Sequence, residues 1–203
     1  MNPLKAVTAA KDLATHHKSV YQFLGFCNHP NQGFAGSVHG EELDFLQDLV
    51  RQANSIEGPL LEIGTLFGFT TQNMALAKDE DKELITVDNF RWNPLGLSST
   101  AHRDFTMRVL TYICQRASTR IYEGTNTDFY SSYSGHKPSL VFIDAGHSYE
   151  DVMVDIKWAK KTGVPIISGH DYSDSLPGVV QAVDEVFGSE IKVVGSVWAH
   201  IAK

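Results

Sequence analysis

Short apolar runs alternate along this chain with longer stretches whose apolar residues recur at helical spacing, the pattern of βα units assembled into a mostly parallel sheet. The runs predict strands over residues 60–63, 83–87, 120–122, 140–143, 164–167, 191–194 and 196–201. Helical spacing predicts helices over 70–77, 106–115, 147–160 and 178–187 between them. Two further helices, over 6–24 and 41–53, precede the first strand, joined by the glycine-containing segment 28–39, which is expected to lie over one side of the sheet. At the far end Val193-Val194-Gly195-Ser196-Val197 reads as two strands meeting at a Gly-Ser turn, an antiparallel hairpin at the sheet edge. The expected fold is therefore a three-layer α/β sandwich whose mostly parallel seven-stranded sheet ends in that hairpin. No repeat, low-complexity tract or linker marks a second domain, so residues 1–203 read as one domain, with 1–57 as an N-terminal helical cap region and 58–203 as the core.

Composition narrows the function. With 203 residues, 42% of them hydrophobic, the chain can cover both faces of one sheet. The 24 acidic against 17 basic residues, net charge −7, remove the basic footprint that nucleic-acid binders carry. No apolar run approaches the roughly 20 residues that span a bilayer, and residues 1–17 lack the apolar centre of a signal peptide. A soluble, cytoplasmic protein without nucleic-acid or membrane partners is expected. Cys27 and Cys114, the two cysteines, have no disulfide or zinc spacing and read as small buried side chains.

The most informative segment is Leu60-Leu61-Glu62-Ile63-Gly64-Thr65-Leu66-Phe67-Gly68-Phe69-Thr70-Thr71: an apolar strand, a carboxylate, two glycines, then a helix start. Its glycines either make a tight turn or let a ligand approach the backbone. Their GxxxG spacing is not the GxGxxG of dinucleotide binders. A second strand ends at Asp88, about 20 residues on, where a carboxylate can accept both ribose hydroxyls of a nucleoside or serve as a loop start or helix cap.

With these segments, and with Phe142-Ile143-Asp144-Ala145-Gly146-His147-Ser148-Tyr149, His170-Asp171-Tyr172 and Pro177-Gly178-Val179 after them, residues 58–200 resemble the class I S-adenosylmethionine-dependent methyltransferases. The likeness is greatest to the small O-methyltransferases of the macrocin type and sequences related to cephalosporin hydroxylase. It implies a Rossmann-like fold and S-adenosylmethionine as cofactor. It places Glu62, Gly64, Thr65, Phe67, Gly68 and Thr70 at the methionine end, Asp88 at the ribose, Gly124 and Thr125 near the adenine, and Asp144 at the shared wall of cofactor and acceptor.

Asp144, His147, His170 and Asp171 follow the fourth and fifth strands, whose carboxyl ends share the crevice where ligands bind in open α/β sheets. Two carboxylates with an imidazole can hold a divalent cation that lowers the pKa of a substrate hydroxyl. The resemblance implies Asp144 and Asp171 as ligands of Mg²⁺ or Mn²⁺, with His147 as general base. His170 stands where such relatives carry an acid, and as a ligand it suits Mn²⁺, Zn²⁺ or Fe²⁺ better than Mg²⁺. The alternatives are a metal-free site in which Asp144 accepts a hydrogen bond, and a His147 that only starts a helix. Tyr149, Tyr172 and Trp92 read as core or pocket walls, and the loop 89–103, with Trp92, Pro94 and Gly96, as a lid over the acceptor. The expected reaction is in-line methyl transfer to a small-molecule hydroxyl, with N-methylation, a hydroxylase-like activity or a noncatalytic cofactor-binding protein as rivals. The resemblance also implies a homodimer, for which the amphipathic segment 6–24 offers a surface.

Overall fold

The computed structural model describes residues 38–202, so the helix expected over 6–24, nearly all of the 28–39 segment, and Cys27 lie outside the described residues. In chain order the elements are α1 (Glu41–Asn54), β1 (Leu60–Ile63), α2 (Phe69–Ala77), β2 (Leu84–Asp88), α3 (Ser99–Arg116), β3 (Thr119–Glu123) and α4 (Asn126–Ser132). There follow β4 (Leu140–Ile143), α5 (Tyr149–Thr162), β5 (Ile166–Gly169), α6 (Pro177–Phe187), β6 (Lys192–Val194) and β7 (Val197–Ile201). The sheet order is β3-β2-β1-β4-β5-β7-β6. Strands β1 to β5 are parallel, while β7 runs antiparallel to both β5 and β6. This is the Rossmann-like seven-stranded sandwich with its C-terminal hairpin.

Side chains alternate between two cores, as strand geometry requires. Leu61, Ile63, Ile85, Val87, Val141, Ile143 and Ile167 point to one face, under Val152 and Ile156 of α5 and Val179 and Val183 of α6. Leu60, Leu84, Leu140, Phe142 and Ile166 point to the other, under Phe45, Leu46 and Leu49 of α1, Met74 of α2 and Ile113 of α3. Helix α1, grouped by the sequence with the N-terminal cap, thus packs directly on the sheet.

Three element starts and one whole element depart from the hydrophobic pattern, each through a local rule. Pro165 has no N–H for a ladder, and β5 pairs with β4 only from Ile166 onward, two residues later than expected. Ser98 caps α3 by accepting from the Ala101 N–H at 3.3 Å, so the irregular stretch after β2 ends near residue 98 instead of 103. Ser148 caps α5, accepting from the Asp151 N–H at 3.1 Å, and this leaves His147 in the preceding loop. Helix α4 is an unpredicted element, capped by Thr125 through the Asp128 N–H at 3.1 Å.

Sheet order makes β1 the turning point of the winding: the chain steps outward to β2 and β3, then returns to β4 on its other side. Ladder bonds continue past the strand ends there. Gly64 N–H donates to Val87 O at 2.9 Å, Asp144 N–H to Ile63 O at 2.8 Å, Gly124 N–H to Asp88 O at 2.9 Å, and His170 N–H to Ile143 O at 3.0 Å. Residues far apart in sequence are so held along one edge of the sheet, at the switch point where open α/β folds bind ligands.

Glu62 lies on β1, fully buried, and accepts a hydrogen bond from Thr71 Oγ1 of α2 at 2.5 Å. Burial pushes its carboxyl from the ordinary 4.5 up to about 8, outweighing the hydrogen bond that favours the anion. A carboxyl whose folded pKa is raised contributes stability that is present in full below pH 4.5 and is lost as pH rises through about 8. Wild-type protein should therefore lose up to about 1.4 kcal/mol per pH unit across this window from Glu62, and Glu62→Gln, which cannot ionise, should not. Urea unfolding of both proteins at pH 5 and pH 8 measures the difference; equal pH dependence would mean that Glu62 is already ionised in the folded state.

Candidate active site

The turn after β1 is shaped by one carboxylate. Asp88, at the end of β2, accepts the Thr65 N–H at 2.9 Å and the Leu66 N–H at 2.8 Å on Oδ2, and the Phe90 N–H at 2.7 Å on Oδ1. Leu66 and Phe90 have φ of 48° and 55°, a left-handed conformation that costs a non-glycine residue roughly 1 to 3 kcal/mol. Gly64, with φ of 100°, is obligatory for a different reason: a Cβ there would stand 1.8 Å from the carbonyl oxygen of Asp144. A carboxylate offers about four lone-pair sites, and three are taken by backbone, so Asp88 has room for about one ribose hydroxyl where the sequence suggested two.

Above this turn opens a cavity of about 500 Å³. Gly64, Thr65, Thr70, Asp88, Gly124 and Asp144 line it, as do His147 and Asp171 at the other end. The remaining expected contacts stand back from the wall. Glu62 lies in the core behind the turn; Phe67 packs against His102 and Phe105, with centroids 4.9 and 5.4 Å away. Gly68 caps α2, where a Cβ would collide with Leu110 at 2.8 Å. Thr125 is the cap of α4, with its hydroxyl also donating to Asp128 Oδ2 at 2.6 Å.

Asn126 and Asp151 also reach the cavity, and the sequence reading passed over both. Asp151 had a signal, the Ser148-x-x-Asp151 spacing of a helix start. Asn126 is fixed by donating to the buried Asp155 at 2.6 Å, a contact no local pattern announces. Trp92 lines the cavity while 64% exposed. Tyr149 and Tyr172 instead donate to Glu185 at 2.8 Å and Asp184 at 2.7 Å, away from it. The segment 89–98 is organised around Asn93, whose Oδ1 accepts from Leu95 and Leu97 N–H at 3.2 and 2.9 Å.

At the acceptor end His147 Nε2 lies 2.8 Å from Asp171 Oδ2. That hydrogen bond raises the imidazole above its ordinary value, against burial. Burial pushes the other way on Asp171, yet His147 and the nearby His170 hold its carboxyl below the usual range. Asp171 itself is left-handed at φ 63°, which turns its side chain out of the β5 direction. Burial raises Asp144, partly countered by His170.

His170 is placed otherwise than expected. Its Nδ1 faces Asp144 Oδ1 at 3.6 Å and Asp171 Oδ1 at 3.4 Å, and its Nε2 faces Glu42 Oε2 of α1 at 3.5 Å. Burial opposes its charge, but the three carboxylates prevail and lift it to about 9. His170 thus faces three carboxylates, as a cationic imidazole between them would. The three residues whose ligand atoms do converge, all within 4.8 Å of one another, are Asp144, His147 and Asp171. Burial pushes the Cys114 thiol up to about 11, which disfavours the thiolate.

Comparison with known proteins places this geometry. No curated protein matches the chain in sequence. Among solved structures, an O-methyltransferase from Bacillus cereus in complex with SAH shares the fold at a TM-score of 0.63 and 19% identity, over 94% of this chain and 91% of that one. TomG, the O-methyltransferase from Streptomyces achromogenes involved in tomaymycin synthesis, in complex with SAM, does so at 0.62 and 16%, over 95% and 90%. The family described as "Methyltransferase domain" matches residues 61–172. That match takes in β1 to β5 and the loops that wall the cavity, more than half of the chain, and the protein belongs to this family of methyltransferase domains.

Proposed function

We propose that the chain transfers a methyl group from S-adenosylmethionine to a hydroxyl oxygen of a small-molecule acceptor. The observation that carries the reading is one cavity with two chemically distinct ends: the Gly64 turn, Asp88 and Gly124 at one, and the His147–Asp171 pair at the other. The SAM and SAH complexes of the structural neighbours support the same cofactor here. The residues fit it: a carboxylate with a spare lone pair suits a ribose, and the Gly64 turn brings backbone to the cavity without a side chain between. Bound there, the cofactor supplies an electrophilic methyl on a sulfonium.

The protein's task is then to bind the acceptor, take its proton and exclude water. With Nε2 committed to Asp171, the His147 Nδ1 is the nitrogen that takes the proton, and the Asp171 charge stabilises the imidazolium that results. Asp144, beside the pair and on the same wall, accepts a hydrogen bond from cofactor or acceptor. The segment 89–98, carrying Trp92, covers the acceptor end. Small acceptors suit the acidic charge balance, and a cytoplasmic homodimer completes this reading.

A divalent cation fits by distance, but it would compete with partners these carboxylates already have. The Asp144 and Asp171 carboxylates already face two imidazoles, and a cation would have to displace His147 from Asp171 and sit beside His170. Activity should accordingly stay within about twofold after EDTA treatment; loss of activity restored by Mn²⁺ or Mg²⁺ would contradict the metal-free site.

The reaction itself is tested by incubating the protein with methyl-labelled S-adenosylmethionine and a panel of hydroxylated acceptors, with products located by mass spectrometry. Label is expected on oxygen. His147→Ala should lower turnover by about 10²- to 10⁴-fold, the usual worth of a general base, while S-adenosylhomocysteine affinity changes little. Label on nitrogen, or full activity in His147→Ala, would contradict the assignment.

A further inference from the structure

The Gly64 turn and the segment after β2 are held from one side by Asp88; the same two segments are held from the other side by a histidine that none of the preceding chemistry uses. His102, on α3, is fully buried. Its Nε2 lies 2.8 Å from the carbonyl oxygen of Leu66 and its Nδ1 3.3 Å from that of Phe90. Set between two carbonyls, the ring donates to one as neutral imidazole and to both as imidazolium. Thr106, one helical turn on, donates to the same Leu66 oxygen at 2.7 Å. The ring also meets Phe67 and Phe90 edge-on, with centroids 4.9 and 5.4 Å away.

Leu66 and Phe90 are the non-glycine residues in left-handed backbone on these two loops. Each gives its N–H to Asp88 and turns its C=O toward a ring nitrogen of His102, so the two strained residues share the same pair of side chains. We propose that His102 is a positioning residue for cofactor binding: it clamps the loops after β1 and β2 together and presets the backbone that, with Asp88, receives the cofactor. It lines no part of the cavity and acts only through Leu66 and Phe90. Preorganisation of this kind appears as affinity, because loops already in the bound conformation need not be ordered on binding. The proposal rests on the cofactor reading for its affinity consequence, but not for the clamp itself.

Two readouts separate these. In cofactor-free protein, amide hydrogen exchange measured residue by residue should quicken about tenfold or more at Leu66 and Phe90 in His102→Phe, while β1, β4 and β5 stay protected. His102→Gln, which keeps an N–H donor, should restore protection at one of the two amides or both. Affinity for S-adenosylhomocysteine by calorimetry should fall about tenfold in His102→Phe, the size expected for one lost buried hydrogen bond, and recover in part in His102→Gln. Unchanged exchange at Leu66 and Phe90 in folded His102→Phe would overturn the clamp. Exchange that rises equally throughout the sheet in both variants would also overturn it, by making His102 a general packing residue. If wild type binds no S-adenosylhomocysteine, the cofactor reading and the affinity role fail together, and the exchange data still decide the clamp.

Discussion

The site depends on a single carboxylate accepting three backbone N–H groups. Asp88 closes the loops after β1 and β2 around itself, and each such hydrogen bond to an ionised acceptor is worth roughly 1.5 to 3 kcal/mol. That is enough to offset the left-handed conformations of Leu66 and Phe90. Without it the Thr65–Leu66 backbone has no reason to face β2. The cavity exists because the strained turn is the lower-energy arrangement for these two loops.

The carboxyls around this edge are sorted by their surroundings. Glu62, one residue behind the strand end, is fully buried with hydroxyl partners and no cation, and burial, with a smaller push from Asp144 and Asp88, holds it near 8. Asp171 meets His147 and His170 and stays ionised. His170 carries the compensation inward: it stands between the acceptor-end carboxylates and Glu42, which in turn accepts from the Ser196 N–H at 2.6 Å and Oγ at 2.9 Å in the β6–β7 turn. Helix α1 and the C-terminal hairpin, distant in sequence, are thereby fastened to the acceptor side of the cavity.

Much of this was legible in the chain. Seven strands, their parallel order and the closing hairpin follow from apolar runs separated by helical spacing, a signal each strand carries locally. The glycine turn, Asp88, Asp144, His147 and Asp171 were legible because strand ends in such a sheet converge whatever the intervening sequence. Helix α4, seven residues long, is too short to show a helical period. The roles of His170 and His102 were not legible: His170 is decided by Glu42, and His102 by two carbonyls on other segments. Phe67 and Gly68 sit in a motif that looks like ligand contact throughout, and only packing distinguishes its cavity side from its core side.

The most direct test of the account is calorimetric titration of S-adenosylhomocysteine into wild-type protein and into Asp88→Ala, with circular dichroism confirming that both are folded. The account predicts saturable one-site binding to wild type that weakens by at least about tenfold in the variant, since both the ribose acceptor and the anchor of the two loops are lost. Equal affinity in the two proteins, or no binding to folded wild type, would contradict it.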